Sequence, residues 1–264
     1  MEFWDAHSHL AEPRLDACRE TFLKAAGEKG IKGWIQGGIE PGDWERQRAL
    51  KARYPGQILT AFGLHPWWLA DADKVTVDSA WQKLTSEIAS ADALGETGLD
   101  QARDRKKRPS YAWQVEYFEK QLGLAQTAGK PLVLHIVQSH SDAIAILKNF
   151  GPFEKGGLVH SFSDSLETAS RYIELGLLIS VGADVTRPPP TKLLAALKAI
   201  PKESLVVETD CPDQSPFDGA KRRTGLNQPA FLLEMAEAVG RVRGEAAESV
   251  LQNSTANLRR VFKF

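Results

Sequence analysis

The chain has 264 residues, 42% of them hydrophobic, which is enough to bury a large core in one α/β domain or in two small ones. Its 33 basic and 34 acidic side chains nearly cancel, so no overall field draws the protein to nucleic acid or to an acidic membrane. Only Cys18 and Cys211 are present, which excludes a disulfide framework and favours a reducing compartment.

The sequence contains no recognisable targeting signal or membrane-spanning segment. The opening residues, MEFWDAHSHL, lack the basic start and the apolar run of a secretion signal. No stretch of ~18 apolar residues could span a bilayer, and no short repeat suggests a solenoid. We therefore expect a soluble, cytoplasmic protein without contact to a membrane, and no feature predicts an obligate protein partner.

Eight short apolar runs, rich in β-branched or aromatic residues, predict β-strands. These runs are Glu2–Asp5, Gly33–Gly37, Ile58–Gly63, Ala93–Glu96, Leu132–Ile136, Gly157–His160, Leu177–Val181 and Leu205–Glu208. Between and after them, the apolar spacing predicts amphipathic helices. These helices are Leu15–Lys29, Trp44–Arg53, Ser79–Ala89, Tyr111–Ala128, Ser139–Lys148, Leu166–Leu175, Thr191–Ile200, Ala230–Arg243 and Glu245–Phe262.

Local signals support the helix ends and the order of elements. Ser165 and Pro188–Pro190 stand before predicted helices, and Gly129 and Gly176 stand after them. Strands and helices that alternate in this way over about 260 residues predict an α/β fold, a (β/α)₈ barrel of the TIM type, in one domain spanning residues 1–264. An open doubly wound sheet is the alternative, although no GxGxxG or GxxxxGK[ST] loop follows an early strand. A polar loop, Gly219–Pro229, follows the last strand.

Polar side chains gather where the predicted strands end. The first strand ends in DAHSH at 5–9, the third in GLHP at 63–66, and the fourth in GETGLD at 95–100. His135, His160 and the segment ETD at 208–210 end later strands. All strands of a parallel barrel open onto one face at their carboxyl ends, so we expect these residues to converge there.

This convergence favours a metal site. A lone histidine at a strand end is more often a structural hydrogen-bonding group, but His-x-His places both imidazoles on one side of a strand. Five of the six histidines fall at strand ends, beside carboxylates set in apolar runs. Buried ionisable groups are costly unless they are paired or bound to metal. We predict one or two divalent ions, drawn from Zn, Mn, Fe, Co and Mg. The predicted ligands are His7, His9, Glu96, His135, His160 and Asp210.

As an ordered set, these motifs resemble the TatD family of metal-dependent hydrolases. The set comprises DAHSHL at 5–10, GLHP at 63–66, GETGLD at 95–100, His135, HSF at 160–162, ETDCP at 208–212 and NSTANLRRVF at 253–262. The resemblance runs from residue 2 to residue 262. It implies a (β/α)₈ barrel that acts as a nuclease or phosphoesterase, since several members are DNases.

The resemblance also implies how the metal set is divided. One ion would be held by His7, His9 and Asp210. A second ion would be held by His135 and His160, with Glu96 bridging the two. Asp5 would not bind an ion itself but would hold a metal ligand or the end of the strand in position.

The implied catalytic residues are Asp210, Glu96 and His65. His65 would contact the substrate phosphate. Metal-activated water would attack phosphorus, with Asp210 taking its proton.

Candidate substrate contacts flank this set. Trp67 and Trp68 could stack on a base or pack on a neighbouring helix. Arg103 and Arg105 could meet phosphates or form a solvated loop, together with Lys106, Lys107 and Arg108. The same alternatives hold for Lys221, Arg222 and Arg223. His140 suits a surface or capping role better than a catalytic one.

The chain departs from the family outside the metal set. Members often have Ser and Arg after the histidine equivalent to His135, where this chain has Ile136 and Val137. Many members have Gly at the position of Asp164, and Glu at the position of Gln228. The leading hypothesis is a metal-dependent phosphodiesterase or deoxyribonuclease acting on nucleic acid or a small phosphoester. The alternatives are a metal-dependent amide, ester or lactone hydrolase and a non-catalytic metal-binding protein.

Overall fold

Parallel strands alternate with helices in the computed structural model, which describes residues 2–104, 108–188 and 192–264, without the side chains of 103, 104 and 108–110. The strands are β1 (Phe3–Ser8), β2 (Ile31–Gln36), β3 (Ile58–Leu59), β4 (Ala61–Phe62), β5 (Ala93–Asp100), β6 (Leu132–Val137), β7 (Gly157–Val159), β8 (Leu178–Val181) and β9 (Leu205–Val207). β1 to β3 pair in chain order, and so do β4 to β9, always in parallel. The predicted α/β fold class is confirmed.

Eleven α-helices lie in the described part of the chain. They are α1 (Arg19–Glu28), α2 (Pro41–Arg53), α3 (Pro66–Asp71), α4 (Lys74–Glu87), α5 (Gln101–Asp104), α6 (Arg108–Ala128), α7 (His140–Phe150), α8 (Leu166–Glu174), α9 (Lys192–Leu197), α10 (Leu232–Arg243) and α11 (Ala247–Phe262). None of these helices is long and apolar enough to cross a membrane.

The predicted third strand is interrupted at Thr60. The Thr60 N–H donates to the Asp92 carboxylate at 2.7 Å, and its hydroxyl donates to the same oxygen at 3.0 Å. Because this backbone N–H is bonded to a side chain, the predicted strand divides into β3 and β4. β3 is the last strand of the three-stranded sheet, and β4 is the first strand of the six-stranded sheet.

The last helix links the first and last strands. The Trp4 N–H in β1 donates to Thr255 Oγ1 at 3.1 Å, and the Val207 N–H in β9 donates to Ser254 Oγ at 3.0 Å. Beyond β9, the Asp210 N–H donates to the carbonyl of His7 at 3.0 Å. Two adjacent hydroxyl groups of α11 therefore bind both β1 and β9. The loop after β9 also bonds to the end of β1, so the first and last strands lie close together.

An apolar cluster lies between the strands and α11, separate from the larger core under the other helices. Its buried members are Trp4, Ala6, Ile35, Ala61, Ala93, Val133, Leu158, Leu178, Val206, Leu258, Val261 and Phe262. Many of these strand residues stand at or near the first residue of their strand. The amino ends of the strands are therefore filled by apolar side chains and covered by α11.

Several element ends differ from the prediction for local reasons. α4 begins at Lys74 rather than Ser79, because the Asp73 side chain accepts the Thr76 N–H and caps the helix. β5 continues past Glu96 because it pairs with β6 as far as Asp100.

Some of the other predicted element ends are confirmed, and others lie at different residues. Ser165 caps α8, and Gly129 and Gly176 take positive φ angles after helices, as predicted. α1 begins at Arg19, after a 3-10 turn over Pro13–Leu15. The predicted polar loop contains one strand of a short hairpin, formed by β10 (Phe217–Asp218) and β11 (Lys221–Arg222). Residues 189–191, with the predicted start of a helix, lie outside the described residues.

Candidate metal centre

A cavity of about 310 Å³ opens at the carboxyl ends of the strands. Its lining includes His9, His65, Glu96, His135, His160 and Asp210. His7 lies fully buried directly behind this lining, 3.2 Å from His9 between their Nε2 atoms. All five histidines predicted at strand ends are thus brought together with both carboxylates.

Glu96 occupies the middle of the cluster. Its Oε1 lies 3.1 Å from His9 Nε2 and 3.6 Å from His7 Nε2. Its Oε2 lies 2.9 Å from His160 Nε2 and 3.5 Å from His135 Nδ1. Each carboxylate oxygen faces a different pair of imidazoles, which is the arrangement that a bridging ligand requires.

Asp210 closes the cluster from the loop after β9. Its Oδ1 lies 3.5 Å from His7 Nε2 and 3.4 Å from His9 Nε2, and its Oδ2 accepts a hydrogen bond from Gln214 Nε2. The backbone of Asp210 has a φ of 56°, a left-handed conformation that is uncommon outside glycine. Burial raises the pKa of Asp210, but a hydrogen bond to His9 and the nearby imidazoles outweigh it and hold the pKa below its usual range.

Several buried polar atoms of the cluster lack hydrogen-bond partners among the described residues. Among the described residues, both oxygens of Glu96 and the Nδ1 atoms of His7 and His9 are buried without a hydrogen bond. His135 Nδ1 and His160 Nε2 face each other at 2.8 Å. A buried polar group without a partner costs about 1–3 kcal/mol, so the cluster is costly as a purely structural feature. Imidazoles and carboxylates are ligands that suit Zn, Mn, Fe and Co, so the residues fit such ions.

The geometry supports three possible ligand sets, and these sets share residues, so they do not assign each residue to a single ion. In each set, one donor atom per residue lies within 4.8 Å of the others. The sets are His7, His160 and Asp210; His7, His9 and Glu96; and His65, Glu96 and His135. His160 therefore lies between the two halves that the resemblance implies.

Gly37 makes room for this cluster at the end of β2. A Cβ atom there would lie 2.5 Å from both Glu96 Oε1 and His7 Cε1, and 2.7 Å from His9 Cε1. These distances are far below van der Waals contact. Any side chain at this position would displace the candidate ligands.

His65 has a different environment from the other four histidines. It caps α3, and its Nδ1 accepts the Trp67 N–H at 3.0 Å. A neutral imidazole that accepts at Nδ1 carries its proton on Nε2, which lies 3.7 Å from Glu96 Oε2. Burial, and then the nearby His135, lower the pKa of His65 well below its usual range, which favours this neutral form.

Two buried carboxylates that the sequence reasoning did not assign lie behind the imidazoles. Asp100 Oδ2 lies 3.0 Å from His135 Nε2 and also accepts the Trp67 Nε1–H. Glu208 Oε1 lies 3.6 Å from His160 Nδ1 and accepts the Ser161 N–H at 2.6 Å. Both residues stand in quoted motifs at the ends of apolar runs, so the rule that buried carboxylates need partners could have identified them.

Asp5 ties β1 to the loop that carries Asp210. Its Oδ1 accepts the N–H groups of His7 at 3.2 Å and Thr209 at 2.9 Å, and its Oδ2 accepts the Thr209 hydroxyl at 2.6 Å. Burial raises the pKa of Asp5 to about 8, although these hydrogen bonds oppose the shift.

The flanking candidates separate into different environments. Trp67 is 41% exposed and lines the cavity, whereas Trp68 packs against the core. Ile136 and Val137 also line the cavity. Arg105, Lys106 and Lys107 lie outside the described residues, as do the side chains of Arg103 and Arg108.

The remaining candidates lie away from the cavity lining. His140 Nδ1 pairs with the Tyr172 hydroxyl at 2.9 Å, a half-buried structural contact. Arg222 pairs with Asp184 at 2.9 Å, and Arg223 pairs with Glu234 at 2.8 Å.

Known proteins resemble this chain along nearly all of its length. The TatD related DNase family matches residues 4–263. A metal-dependent hydrolase of Bacillus subtilis, YabD, is 29% identical over 98% of both chains. The 3′-5′ ssDNA/RNA exonuclease TatD of Erwinia billingiae is 28% identical over 98% of both chains.

The structural comparison agrees with the sequence comparison. YjjV, a metal-dependent hydrolase of Escherichia coli, is 31% identical over 95% of this chain and 93% of its own. The crystal structure of YjjV, a TatD homologue, matches 99% of this chain and 98% of that chain with a TM-score of 0.87. The chain therefore belongs to the TatD related DNase family of metal-dependent hydrolases.

Proposed function

We propose that the protein is a divalent-metal-dependent phosphodiesterase that hydrolyses nucleic acid or small phosphoesters in the cavity at the strand ends, with residues 1–264 acting as one domain. The observation that carries this proposal is the position of Glu96, whose two oxygens face two separate pairs of imidazoles. The name of the exonuclease from Erwinia billingiae supports a nucleic acid substrate.

The candidate ligands would hold one or two ions. One side of Glu96 offers His7, His9 and Asp210, and the other offers His135 and His160. When bound, divalent ions lower the pKa of water and offset the charge that develops on phosphoryl oxygens.

Asp210 is the residue that we assign to proton transfer. Its lowered pKa keeps it ionised, and its Oδ1 points at His7 and His9. The hydrogen bond from Gln214 fixes the orientation of the carboxylate, so Oδ2 can accept a proton from the attacking water.

His65 and Trp67 would orient the substrate. The neutral His65 presents Nε2–H toward the cavity, where it can donate to a phosphate oxygen. Trp67 can stack on a base, because its ring is partly exposed while its Nε1–H is anchored on Asp100. Arg103 and Arg105 remain proposed phosphate contacts from sequence alone.

A second candidate, a metal-dependent ester, amide or lactone hydrolase, is favoured by the apolar wall of the cavity. Ile39, Ile136 and Val137 line it beside Trp67, and the described lining residues include no lysine or arginine. The same ions would polarise a carbonyl as readily as a phosphoryl group.

The experiment compares both candidates on one preparation. Purified protein is stripped with a chelator, reloaded separately with Mn²⁺, Zn²⁺ or Mg²⁺, and tested on end-labelled single-stranded DNA, a chromogenic phosphodiester, and a panel of esters and lactones. We expect metal-dependent phosphodiester cleavage that is lost in His135→Ala and kept in His140→Ala, a histidine outside the cavity. Turnover of carbonyl substrates alone would replace the first candidate by the second, and no metal-stimulated turnover would contradict both.

A further inference from the structure

The two halves of the ligand cluster differ in what stands behind the imidazoles. We call the half made by His135 and His160 with Glu96 Oε2 the β6 position, and the half made by His7 and His9 with Glu96 Oε1 and Asp210 the β1 position. At the β6 position, His135 Nε2 pairs with the buried carboxylate of Asp100 at 3.0 Å, whereas His160 Nδ1 lies 3.6 Å from Glu208 and makes no hydrogen bond among the described residues. At the β1 position, His7 Nδ1 and His9 Nδ1 have no hydrogen-bond partner among the described residues.

A carboxylate behind a ligating imidazole has two effects. It holds the proton on the outward nitrogen, so that the inward nitrogen is free to bind a metal, and it raises the basicity of that ligand. Loss of such a partner costs about 10- to 100-fold in metal affinity. The geometry of His135 meets this condition, because Nδ1 faces Glu96 and His160 while Nε2 faces Asp100.

Asp100 is itself firmly held. It is 1% exposed, its N–H donates to Gln114 Oε1 at 2.8 Å, and its Oδ2 accepts the Trp67 Nε1–H. The carboxylate therefore keeps its position at the end of β5 before an ion arrives. A ligand that is already oriented loses little entropy when it binds.

Direct charge does not account for this difference, because buried carboxylates stand near both positions. Asp210 Oδ1 faces His7 and His9, and Asp5 is buried beside His7. Asp100 and Glu208 are buried near the β6 position. The positions differ instead in how an imidazole is oriented, which Asp100 does for His135.

We propose that the two ion positions are unequal, that the β6 position fills first and more tightly, and that Asp100 is the positioning residue that makes it so. This proposal rests on the proposed function only in assuming that the cluster binds metal. An ion at the β1 position would then be the exchangeable one.

The test measures binding rather than turnover. Apo-protein is titrated with Zn²⁺ by calorimetry and with Co²⁺ by visible absorbance. We expect two classes of site in the wild-type protein. His7→Ala should remove the weaker class and leave the tighter one.

Asp100→Asn should weaken the tighter class by about 10- to 100-fold and leave the weaker class unchanged. The control is Asp92→Asn, because Asp92 is a half-buried aspartate outside the cavity lining, bonded to the Thr60 N–H at 2.7 Å and to Lys51 Nζ at 2.6 Å. Among the described contacts, it makes no hydrogen bond or ion pair with the five histidines of the cluster, so this control should leave both classes unchanged.

Glu208→Gln provides a second variant if Asp100→Asn does not fold. It should weaken the same tighter class, by less than Asp100→Asn, since the distance to His160 is longer. Two equal classes in the wild type would overturn the proposal, as would loss of the tighter class in His7→Ala or an equal effect of Asp100→Asn on both classes. Zn²⁺ binding as expected, without hydrolysis of any substrate, would instead refute the proposed function alone.

Discussion

The interior of the protein is apolar at the amino ends of the strands and polar at their carboxyl ends. Near their amino ends, aliphatic residues such as Ala61 and Leu178 are buried in one apolar cluster with Leu258 and Phe262 of α11. At their carboxyl ends, His7 and Glu96 are just as deeply buried but leave polar atoms without hydrogen bonds. One end therefore lowers the free energy of the fold, and the other end raises it.

This difference explains how the fold can tolerate a costly cluster. Burial of a large aliphatic side chain contributes about 1.5–3 kcal/mol, which is similar to the cost of about 1–3 kcal/mol for one unpartnered polar group, so the many buried apolar residues can offset the cluster. The division predicts that substitutions at the carboxyl ends reduce activity and leave stability intact, while substitutions at the amino ends do the opposite. Four substitutions can break or sharpen this division.

The largest effect is expected for Asp210→Asn. Loss of the proton acceptor should lower kcat by about 10²- to 10⁴-fold on the substrate found in the metal-reloading assay. The melting temperature of the apo-protein should fall by less than in a core variant, because the lowered pKa of Asp210 means that its charge is favoured in the folded state while no apolar packing is lost. Calorimetric melting beside steady-state kinetics measures both. A melting temperature that falls as far as in a core variant would break the division.

Leu258→Ala tests the opposite end. Leu258 is fully buried in the cluster under α11, and its truncation should cost about 2–5 kcal/mol in the free energy of unfolding. Urea denaturation measures this loss, and kcat of the remaining folded protein should be unchanged. The control is Leu166→Ala, since Leu166 is 38% exposed and should change stability by less than about 0.5 kcal/mol. A fall in kcat matching that of Asp210→Asn would show that the two ends are not independent.

Trp67→Ala separates two adjacent tryptophans. Loss of stacking on a base should raise KM for nucleotide substrates by the equivalent of about 1–3 kcal/mol, or roughly 5- to 150-fold. Trp68→Ala, which alters a side chain packed on the core, should lower stability and leave KM unchanged. Equal KM values for Trp67→Ala and the wild type would remove Trp67 from the substrate site.

Ser165→Ala should have the smallest effect. Ser165 caps α8 by accepting the Thr168 N–H at 3.3 Å, and an N-cap residue contributes about 1 kcal/mol. The loss should appear in urea denaturation without a change in kinetics, whereas Ser141→Ala, at an exposed position in α7, should not destabilise. An unchanged free energy of unfolding would show that the cap contributes nothing.

Local chemistry explains why so much of the site was predictable. His7 and His9 follow an apolar strand, and Glu96, His135 and Asp210 end later ones, so the parallel arrangement alone places them on one face. The capping of α8 by Ser165 was predictable for the same reason, because it depends on residues three positions apart.

Other features depend on contacts between distant segments. Asp100 could be seen at the end of a motif, but only the pairing of β5 with β6 places it behind His135. The start of α4 at Lys74, by contrast, depends on a local cap from Asp73 to the Thr76 N–H, which the apolar spacing alone does not indicate.

The sequence by itself determined the alternation of strands and helices, the face on which the polar residues gather and the histidines and carboxylates that converge there, because periodicity and the cost of burying charge act within short segments. Only the tertiary structure decided which atoms face one another. It set Glu96 between two pairs of imidazoles, required Gly37 to lack a side chain, and placed a carboxylate behind His135 but not behind His7. These relations join strands far apart in the chain, so no local pattern encodes them.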